Sequence, residues 1–259
     1  MTESTCQPGD PSPYERTKAV LLVGGLGTRL REVVPLKPKP LASIGNKLFL
    51  ELLIQQLCCQ GIRHIVMCTG YLADRIENEF GDGSDRGVEI EYSRESSPLG
   101  TAGAIKFARP YLRDLPDFLV MNGDSFVEVD FHKLFQFHRA HGGLVSLVVV
   151  AVENADRYGT VLLDHGGRVT GFLEKTGKQL PGIVSAGVYI FNRAVLQRIP
   201  EGHASLESGV FPLLLDEGVF GFKQDGVFID IGTPEDYARA QNLSDRLDRG
   251  SSRTAQTLP

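Results

Sequence analysis

The chain has 259 residues, of which 42% are apolar and 23% are charged. This balance is typical of a soluble globular protein with one or two domains. No uncharged apolar run is long enough to cross a bilayer and the first residues are polar, so we expect a cytoplasmic protein. Lysine and arginine number 27 against 32 acidic residues, a net charge of -5. That balance argues against nucleic acid or an anionic membrane as a partner.

The first half of the chain alternates short apolar runs with segments of helical period. Strands are predicted at 19–23, 64–68, 89–93 and 118–122. Several are apolar at consecutive positions, as expected where helices cover both faces of a sheet. A helix with a broad apolar face is predicted at 48–60. The alternation predicts an α/β fold with a mostly parallel central sheet.

The second half contains shorter strands separated by glycine-rich turns, which favours a mixed or antiparallel arrangement. Predicted strands lie at 144–152, 158–164, 168–175, 184–191 and 226–232. A final helix is predicted at 233–247, where a Thr-Pro-Glu sequence supplies an N-cap and an acidic first turn. We expect one domain at 18–247, with flexible tails at 1–17 and 248–259.

Histidines and cysteines give no sign of a metal site. The four cysteines lack zinc-binding spacing and are too few for a disulfide scaffold. His132, His138 and His141 fall on a predicted amphipathic helix, where we expect solvated imidazoles. Cys58 and Cys68 are expected to be small core residues.

A glycine-rich turn follows the first predicted strand and contains Gly24, Gly25 and Gly27. Glycines let backbone N–H groups approach an anion closely, although the same composition also occurs in plain tight turns. The segment 24–47 carries five cations and one acid, which favours an anion site. Neither a dinucleotide fingerprint nor a Walker A loop fits the segment.

Lys39 lies between two prolines, in the sequence Lys37-Pro38-Lys39-Pro40. Because proline fixes the backbone φ angle, the two rings hold a flexible cation in one place. A lysine positioned in advance loses less entropy when it binds a polyphosphate. The sequence therefore predicts that Lys39 binds an anion, rather than lying in a solvated turn.

The motifs GGLGTRL and PKPL resemble those of the sugar-1-phosphate nucleotidylyltransferase family. Further matching motifs follow in order along nearly the whole chain: PLGTAG at 98–103, NGD at 122–124, YG at 158–159, EK at 174–175, AGVY at 186–189 and DIGTP at 230–234. The resemblance implies a Rossmann-like nucleotidyltransferase core, with a mixed, mostly parallel sheet flanked by helices and a small antiparallel sugar-binding portion. It also implies transfer of a nucleotide from a nucleoside triphosphate to a sugar 1-phosphate.

The resemblance implies a role for particular residues. Arg29 and Lys39 would neutralise the triphosphate, and Asp124 and Asp230 would bind Mg²⁺. The implied nucleotide-binding residues are Gly24, Gly25, Gly27, Thr28, Glu95, Pro98, Leu99, Gly100 and Thr101, and the implied sugar-binding residues are Gly159, Glu174, Lys175 and Ser185. In-line displacement at phosphorus needs positioning and cations more than an acid or a base, so these residue types suit the reaction. Asp230 also lies between two isoleucines in an apolar strand, where a buried carboxylate needs a partner.

Within this family, the sequence and spacing of several motifs most resemble those of the D-glycero-D-manno-heptose-1-phosphate guanylyltransferases, which make GDP-heptose for bacterial surface polysaccharide. We expect GTP as donor, with Glu95 as one candidate for reading guanine. Ser185 stands where many members have asparagine, which leaves a mannose- or glucose-1-phosphate enzyme using GTP, UTP or dTTP as an alternative. A non-catalytic nucleotide-sugar sensor is a second alternative. The sequence leaves a homo-oligomer open.

Overall fold

The computed structural model describes residues 16–25, 27, 38–173 and 179–252. Nine of the described strands form one sheet in the order β10-β9-β11-β6-β1-β4-β5, with β8 paired to β11 and β12. The strands are β1 (Lys18–Leu22), β2 (Ser43–Ile44), β3 (Lys47–Leu48), β4 (His64–Thr69), β5 (Glu89–Arg94), β6 (Asp117–Asn122), β7 (Ser125–Val127), β8 (Val145–Val152), β9 (Thr160–Leu163), β10 (Val169–Leu173), β11 (Gly182–Asn192), β12 (Val219–Lys223) and β13 (Phe228–Asp230). The helices are α1 (Phe49–Cys59), α2 (Ala73–Phe80), α3 (Gly100–Phe107), α4 (Phe131–His141), α5 (Phe211–Gly218), α6 (Pro234–Asn242) and α7 (Ser244–Ser251).

The parallel half of the sheet consists of β6, β1, β4 and β5, each pair of neighbours running in the same direction. All four strands were predicted from their apolar runs, and their ends shift by one residue. Hydrophobic clusters lie on both faces of the sheet, one including Leu21 and Met67 and the other Val20 and Val66. The alternation of core residues along each strand confirms that helices and loops cover both faces.

The other half is mostly antiparallel, as the sequence predicted. Strand β11 pairs antiparallel with β6, β8 and β9, and β10 pairs antiparallel with β9. Strand β12 was not predicted, because Gly221 interrupts its short apolar pattern; it adds to β8 in parallel. The last predicted strand, 226–232, is shorter than expected. Gly226 has φ +119°, which a regular strand does not adopt, and within this segment only β13 pairs with another strand, β7.

The structure has two helices, α6 and α7, where the sequence predicted one helix at 233–247. Helix α6 begins after Thr233, whose Oγ1 accepts a hydrogen bond from the Asp236 N–H at 3.3 Å, and the chain leaves helical geometry at Leu243. Helix α7 then extends to Ser251, beyond the start of the predicted tail at 248. It packs against α1, and just before α1 begins Lys47 Nζ lies 2.5 Å from Asp248 Oδ1.

His138 corrects one prediction of the sequence. Its side chain is buried, with Nδ1 2.9 Å from Ser146 Oγ and Nε2 3.6 Å from Asp117 Oδ1. It lies on the same stripe of α4 as Phe131, Leu134 and Phe135, all of which are buried. The expectation of a solvated imidazole was therefore wrong for His138, while His141 is exposed. Cys58 and Cys68 are buried, as predicted.

Within the described ranges, no helix is both long and apolar enough to cross a membrane.

Candidate active site

A cavity of about 670 Å³ opens where β1 and β6 end, and its floor is formed by the loops that follow these strands. In parallel α/β sheets, ligands bind outside the carboxyl ends of the strands. Twelve of the residues predicted for the site line this cavity: Gly24, Gly25, Gly27, Lys39, Glu95, Pro98, Gly100, Thr101, Asp124, Gly159, Ser185 and Asp230. The volume is within the usual range for a small-molecule site.

Five predicted site residues are not in that set. Leu99 does not line the cavity: its N–H donates to Glu95 Oε2 at 3.2 Å and its carbonyl accepts from Ala204 N–H at 2.8 Å. Leu99 therefore shapes the loop through its backbone. Thr28, Arg29, Glu174 and Lys175 lie outside the described residues.

Lys39 enters the cavity from a short 3₁₀ helix, Lys39–Leu41. Pro38 precedes this turn with φ -62°, and its carbonyl accepts a hydrogen bond from Leu41 N–H at 2.9 Å. A Cβ placed on Gly27 would lie 2.9 Å from Lys39 Cγ, so the glycine lets the lysine stem pass. The 3₁₀ turn and the space at Gly27 direct the lysine stem into the cavity.

The aspartates Asp124 and Asp230 meet at the floor of the cavity. Strand β13 pairs with β7 so that Asp230 lies opposite Ser125, and Ile231 N–H donates to the Asp124 carbonyl at 2.9 Å. Lys39 Nζ lies 3.3 Å from Asp124 Oδ2. The structure thus brings together the two acids and the cation that lie far apart in sequence.

The two carboxylates influence each other electrostatically. Burial and, after it, the negative charge of Asp124 raise the pKa of Asp230 to about 6, against the opposing effects of Gly232 N–H and Lys39. Gly232 N–H donates to Asp230 Oδ1 at 2.6 Å and fixes the orientation of the carboxylate. Two carboxylates held close together, with the pKa of Asp230 raised, favour the binding of a cation.

This pair suits a divalent cation that also contacts a substrate. Mg²⁺ prefers oxygen ligands and often binds only one or two carboxylates, with phosphate oxygens and water completing its shell. Among the described residues, no group of three or more histidine, cysteine or acidic side chains is arranged to hold a metal alone. The donor set therefore fits Mg²⁺ shared with a phosphate group, and does not resemble a closed structural metal site.

Glu95 forms the next part of the wall, after strand β5. A Cβ on Gly70 would lie 2.7 Å from Glu95 Oε1, so this glycine makes room for the carboxylate. Burial raises the pKa of Glu95, against the hydrogen bond from Leu99 N–H and the nearby His203. One carboxylate oxygen is held by the Leu99 N–H, and the side chain lines the cavity beside Gly24.

Side chains of the antiparallel half close the opposite wall. Tyr158, Phe172, Ser185 and Phe211 all line the cavity. The Ser185 hydroxyl lies 3.2 Å from the Tyr189 hydroxyl and accepts a hydrogen bond from Gly187 N–H at 3.3 Å. Burial, with the charges of Asp230 and Asp236, raises the pKa of Tyr158 to about 12. This tyrosine is therefore neutral.

Sequence reasoning missed Arg157, which lines the cavity and forms an ion pair with the buried Asp236. The only signal in the sequence was its place directly before the Tyr158-Gly159 motif. Asp236 lies in the first turn of α6, where an acid is also explained by helix capping. Their pairing depends on the approach of two distant segments, which no local pattern reveals.

The geometry defines an α/β protein with a polar, charged cavity at the carboxyl ends of its parallel strands. The Nucleotidyl transferase family matches residues 18–246, and the chain belongs to this family.

Relatives with assigned names support the same class. The mannose-1-phosphate guanylyltransferase of Mycobacterium tuberculosis is 40% identical over 225 residues, which are 85% of this chain and 62% of that protein. A mannose-1-phosphate guanylyltransferase catalytic subunit beta from Drosophila pseudoobscura pseudoobscura is 38% identical over 224 residues, 85% of this chain and 60% of that protein. The chain thus spans about three fifths of the length of these relatives.

Among solved structures, HddC from Yersinia pseudotuberculosis complexed with GMP-PN has a TM-score of 0.78 and 34% identity. The match covers 87% of this chain and 98% of HddC. A putative glucose-1-phosphate thymidylyltransferase from Bacillus anthracis has a TM-score of 0.79 at 20% identity, with 88% of this chain and 95% of that chain covered. This second likeness supports the predicted Rossmann-like nucleotidyltransferase fold only.

Proposed function

We propose that the protein is a sugar-1-phosphate guanylyltransferase, which transfers GMP from GTP to a sugar 1-phosphate and releases pyrophosphate. The observation that supports this most is the meeting of Lys39, Asp124 and Asp230 at the floor of one cavity. The cavity joins a glycine-lined wall to a wall of side chains, and so offers separate surfaces to a nucleotide and a sugar.

In the proposed reaction, an oxygen of the sugar 1-phosphate attacks the α-phosphorus of GTP. A new phosphorus–oxygen bond forms while the bond between the α-phosphorus and the bridging oxygen breaks, and pyrophosphate leaves with that bonding pair. Both reactants are anions, so alignment and charge neutralisation dominate the barrier. Lys39 contributes a fixed ammonium group to the triphosphate, and we propose that Arg29 acts beside it.

We propose that Asp124 and Asp230 hold Mg²⁺ together with the substrates. When bound, the ion supplies positive charge to the reacting phosphates and to the leaving group. Lys39 lies next to Asp124 and limits the net negative charge of the aspartate pair. Asp230, held by Gly232 N–H, keeps its orientation before the substrates arrive.

Guanine recognition is proposed for the loop after β5, because the Glu95 carboxylate can accept hydrogen bonds from the N1–H and N2–H₂ groups of guanine. The complex of HddC with GMP-PN and the names of the guanylyltransferase relatives support a guanine nucleotide. Gly100 and Thr101 complete this wall. For the sugar, we propose Gly159, Ser185, Glu174 and Lys175 as contacts.

The sugar that we propose is D-glycero-D-manno-heptose 1-phosphate, on the motif resemblance, with a role in bacterial surface polysaccharide synthesis. Mannose 1-phosphate is a second candidate, because relatives at 38–40% identity are named for it. The two sugars share the manno configuration and differ at C6. Residues that line the sugar side of the cavity, such as Tyr158 and Phe172, must then decide between them.

A panel of nucleotides and sugars tests the proposal. Pyrophosphate release is measured with GTP, ATP, UTP and dTTP, each combined with heptose, mannose and glucose 1-phosphates in the presence of Mg²⁺. We expect turnover with GTP and the heptose 1-phosphate. Turnover with UTP or dTTP alone would refute the guanine assignment, and GTP binding without pyrophosphate release would favour a nucleotide-sugar sensor.

A further inference from the structure

A second cleft of about 640 Å³ lies away from the active-site cavity. Its walls come from the end of α3, the 3₁₀ helix Arg109–Leu112 with the residues leading into β6, and the 3₁₀ helix Arg193–Gln197 after β11. Four cationic residues line it, Lys106, Arg109, Arg113 and Arg193, and no acidic residue does. In a chain with a net charge of -5, four cations around one cleft are unusual.

The four cations have few negative partners. Glu201, at one rim, lies 2.7 Å from Arg109 Nη1 and 3.7 Å from Lys106 Nζ, so one carboxylate serves two cations. Lys106 Nζ also donates to the Leu196 carbonyl at 2.6 Å. Among the residues that the structure describes, neither Arg113 nor Arg193 forms an ion pair with a carboxylate.

Outside the cleft, about half of the lysines and arginines in the described ranges form an ion pair with a carboxylate. Lys18, Lys47, Arg94 and Arg198, for example, each have a carboxylate within 2.7 Å. Counting Glu201, the cleft has an excess of three positive charges. Like charges held together in a concave surface repel one another, and a bound anion relieves that repulsion.

The cleft walls are tied together before any ligand binds. Arg193 N–H donates to the Pro116 carbonyl at 2.8 Å, and an Arg193 guanidinium nitrogen donates to the Arg113 carbonyl. Asn192 Nδ2 donates to Asp117 Oδ1 at 3.1 Å, which fixes the start of the third wall. A ligand therefore meets arginines on a prepared scaffold, and loses little binding energy in ordering it.

The cleft is separate from the active site. The two cavities share no lining residue. Strand β6 begins beside the cleft and ends at the active-site floor, and six strand residues span roughly 20 Å. The length of β6 therefore separates the cleft from Asp124.

We propose that this basic cleft is a second binding site, for a small phosphorylated molecule with two or more negative charges. Guanidinium groups suit this chemistry, because each can form paired hydrogen bonds to phosphate oxygens. Arg113 and Arg193 are the main contacts, since no carboxylate competes for them among the described residues, and Arg109 and Lys106 extend the site toward Glu201.

Inorganic pyrophosphate is the probe for the test. Its binding is measured by calorimetry on the full chain, without divalent cations and at constant ionic strength. We compare the wild type with Arg113→Gln/Arg193→Gln and with the control Lys223→Gln/Arg246→Gln, which removes the same charge from exposed positions outside both cavities. In the double arginine variant, we expect the affinity for pyrophosphate to fall by about 10²-fold at one of its binding sites, because two charge-assisted hydrogen-bonding groups are lost. The control changes the affinity less than about threefold.

Chemical footprinting identifies the site independently of the variants' folding. Phenylglyoxal modifies accessible arginines, and peptide mapping gives the rate at each residue. Pyrophosphate is expected to slow modification of Arg113 and Arg193 in both the wild type and Lys39→Ala, while leaving Arg246 unaffected. Equal affinities in all variants, equal losses in the control, or no protection at Arg113 and Arg193 would each overturn the proposal.

Discussion

The two walls of the active-site cavity are built in different ways. On the wall from the parallel half, glycines bring the backbone close: a Cβ on Gly123 would lie 2.7 Å from the Leu22 carbonyl oxygen, and one on Gly100 would lie 2.5 Å from that of Ala204. On the wall from the antiparallel half, the surface consists of side chains such as Tyr158, Phe172 and Ser185. The floor, with Asp124 and Asp230, joins the two.

This difference indicates which wall of the cavity can change its shape through substitutions. A wall made of backbone has a fixed shape, because its hydrogen bonds belong to the fold, and it suits the proposed nucleotide, which is the same in every turnover. A wall made of side chains changes with single substitutions, and it suits the sugar. Substitutions on the floor, the backbone wall and the side-chain wall are therefore expected to have effects of decreasing size.

The largest effect is expected on the floor. Asp230→Asn removes a charge from the proposed cation site, and we expect kcat/KM to fall by about 10²-fold or more. Pyrophosphate release with saturating Mg²⁺ measures it. Asp225→Asn is the matched control, since Asp225 is exposed and does not line the cavity; equal activity of the two variants would contradict the role of Asp230.

Lys39→Ala tests the cation next to the same floor. The variant loses the fixed ammonium group, and we expect kcat/KM for GTP to fall by about 10²-fold, mostly through kcat. Initial rates over a range of GTP concentrations separate kcat from KM. Lys223→Ala, on an exposed residue outside the cavity, should keep wild-type rates, and a Lys39 variant that did the same would refute the assignment.

Gly100→Ala tests the backbone wall. Gly100 has φ +70° and no room for a Cβ, so we expect the free energy of unfolding to fall by about 1–3 kcal/mol and KM for GTP to rise. Urea denaturation and kinetics measure the two effects. Gly209→Ala is the control, because a Cβ there meets no atom within 4 Å. If both variants were equally stable, the wall would be less rigid than its contacts indicate.

The pH dependence of the free energy of unfolding tests the environment of Asp230 on the floor of the cavity, without substrates. The pKa of Asp230 is raised from 3.8 to about 6 in the folded protein, so the folded state binds the proton more tightly than the unfolded state. The resulting loss of stability is absent below pH 3.8, grows as the pH rises to about 6 and is constant above it. Metal-free Asp230→Asn should therefore be more stable than the wild type by about 1 kcal/mol or more above this range, and close to it near pH 4. A variant that is less stable at high pH would contradict the cause given for the shift.

The smallest effect is expected on the side-chain wall. Ser185→Asn adds an amide beside Tyr189, and we expect the ratio of kcat/KM between heptose and mannose 1-phosphates to change by about threefold to tenfold. The GTP parameters should stay the same, since Ser185 lies on the opposite wall. An equal loss for both sugars would mean that Ser185 supports the fold and does not select the sugar.

The sequence predicted the parallel half well, because each of its strands is a short apolar run between polar segments. The position of Lys39 followed from a local pattern, the two prolines beside it, while most of the other candidate site residues followed from the resemblance of their motifs to a known family. Features that depend on contacts between distant segments could not be predicted from the sequence. The pairing of Arg157 with Asp236, the burial of His138 against Ser146, and the packing of α7 on α1 all join segments far apart in the chain.

The position of Glu201 has a consequence for kinetic measurements in buffers that contain multivalent anions. It is held by Arg109 and Lys106, while His203 and Ser205, a few residues further along the same loop, line the active-site cavity. If the cleft binds multivalent anions as proposed, phosphate or sulfate in an assay buffer competes with this carboxylate for its two partners. Kinetic constants measured in phosphate or sulfate are expected to differ from those measured in chloride at matched ionic strength, so the choice of buffer salt becomes an experimental variable.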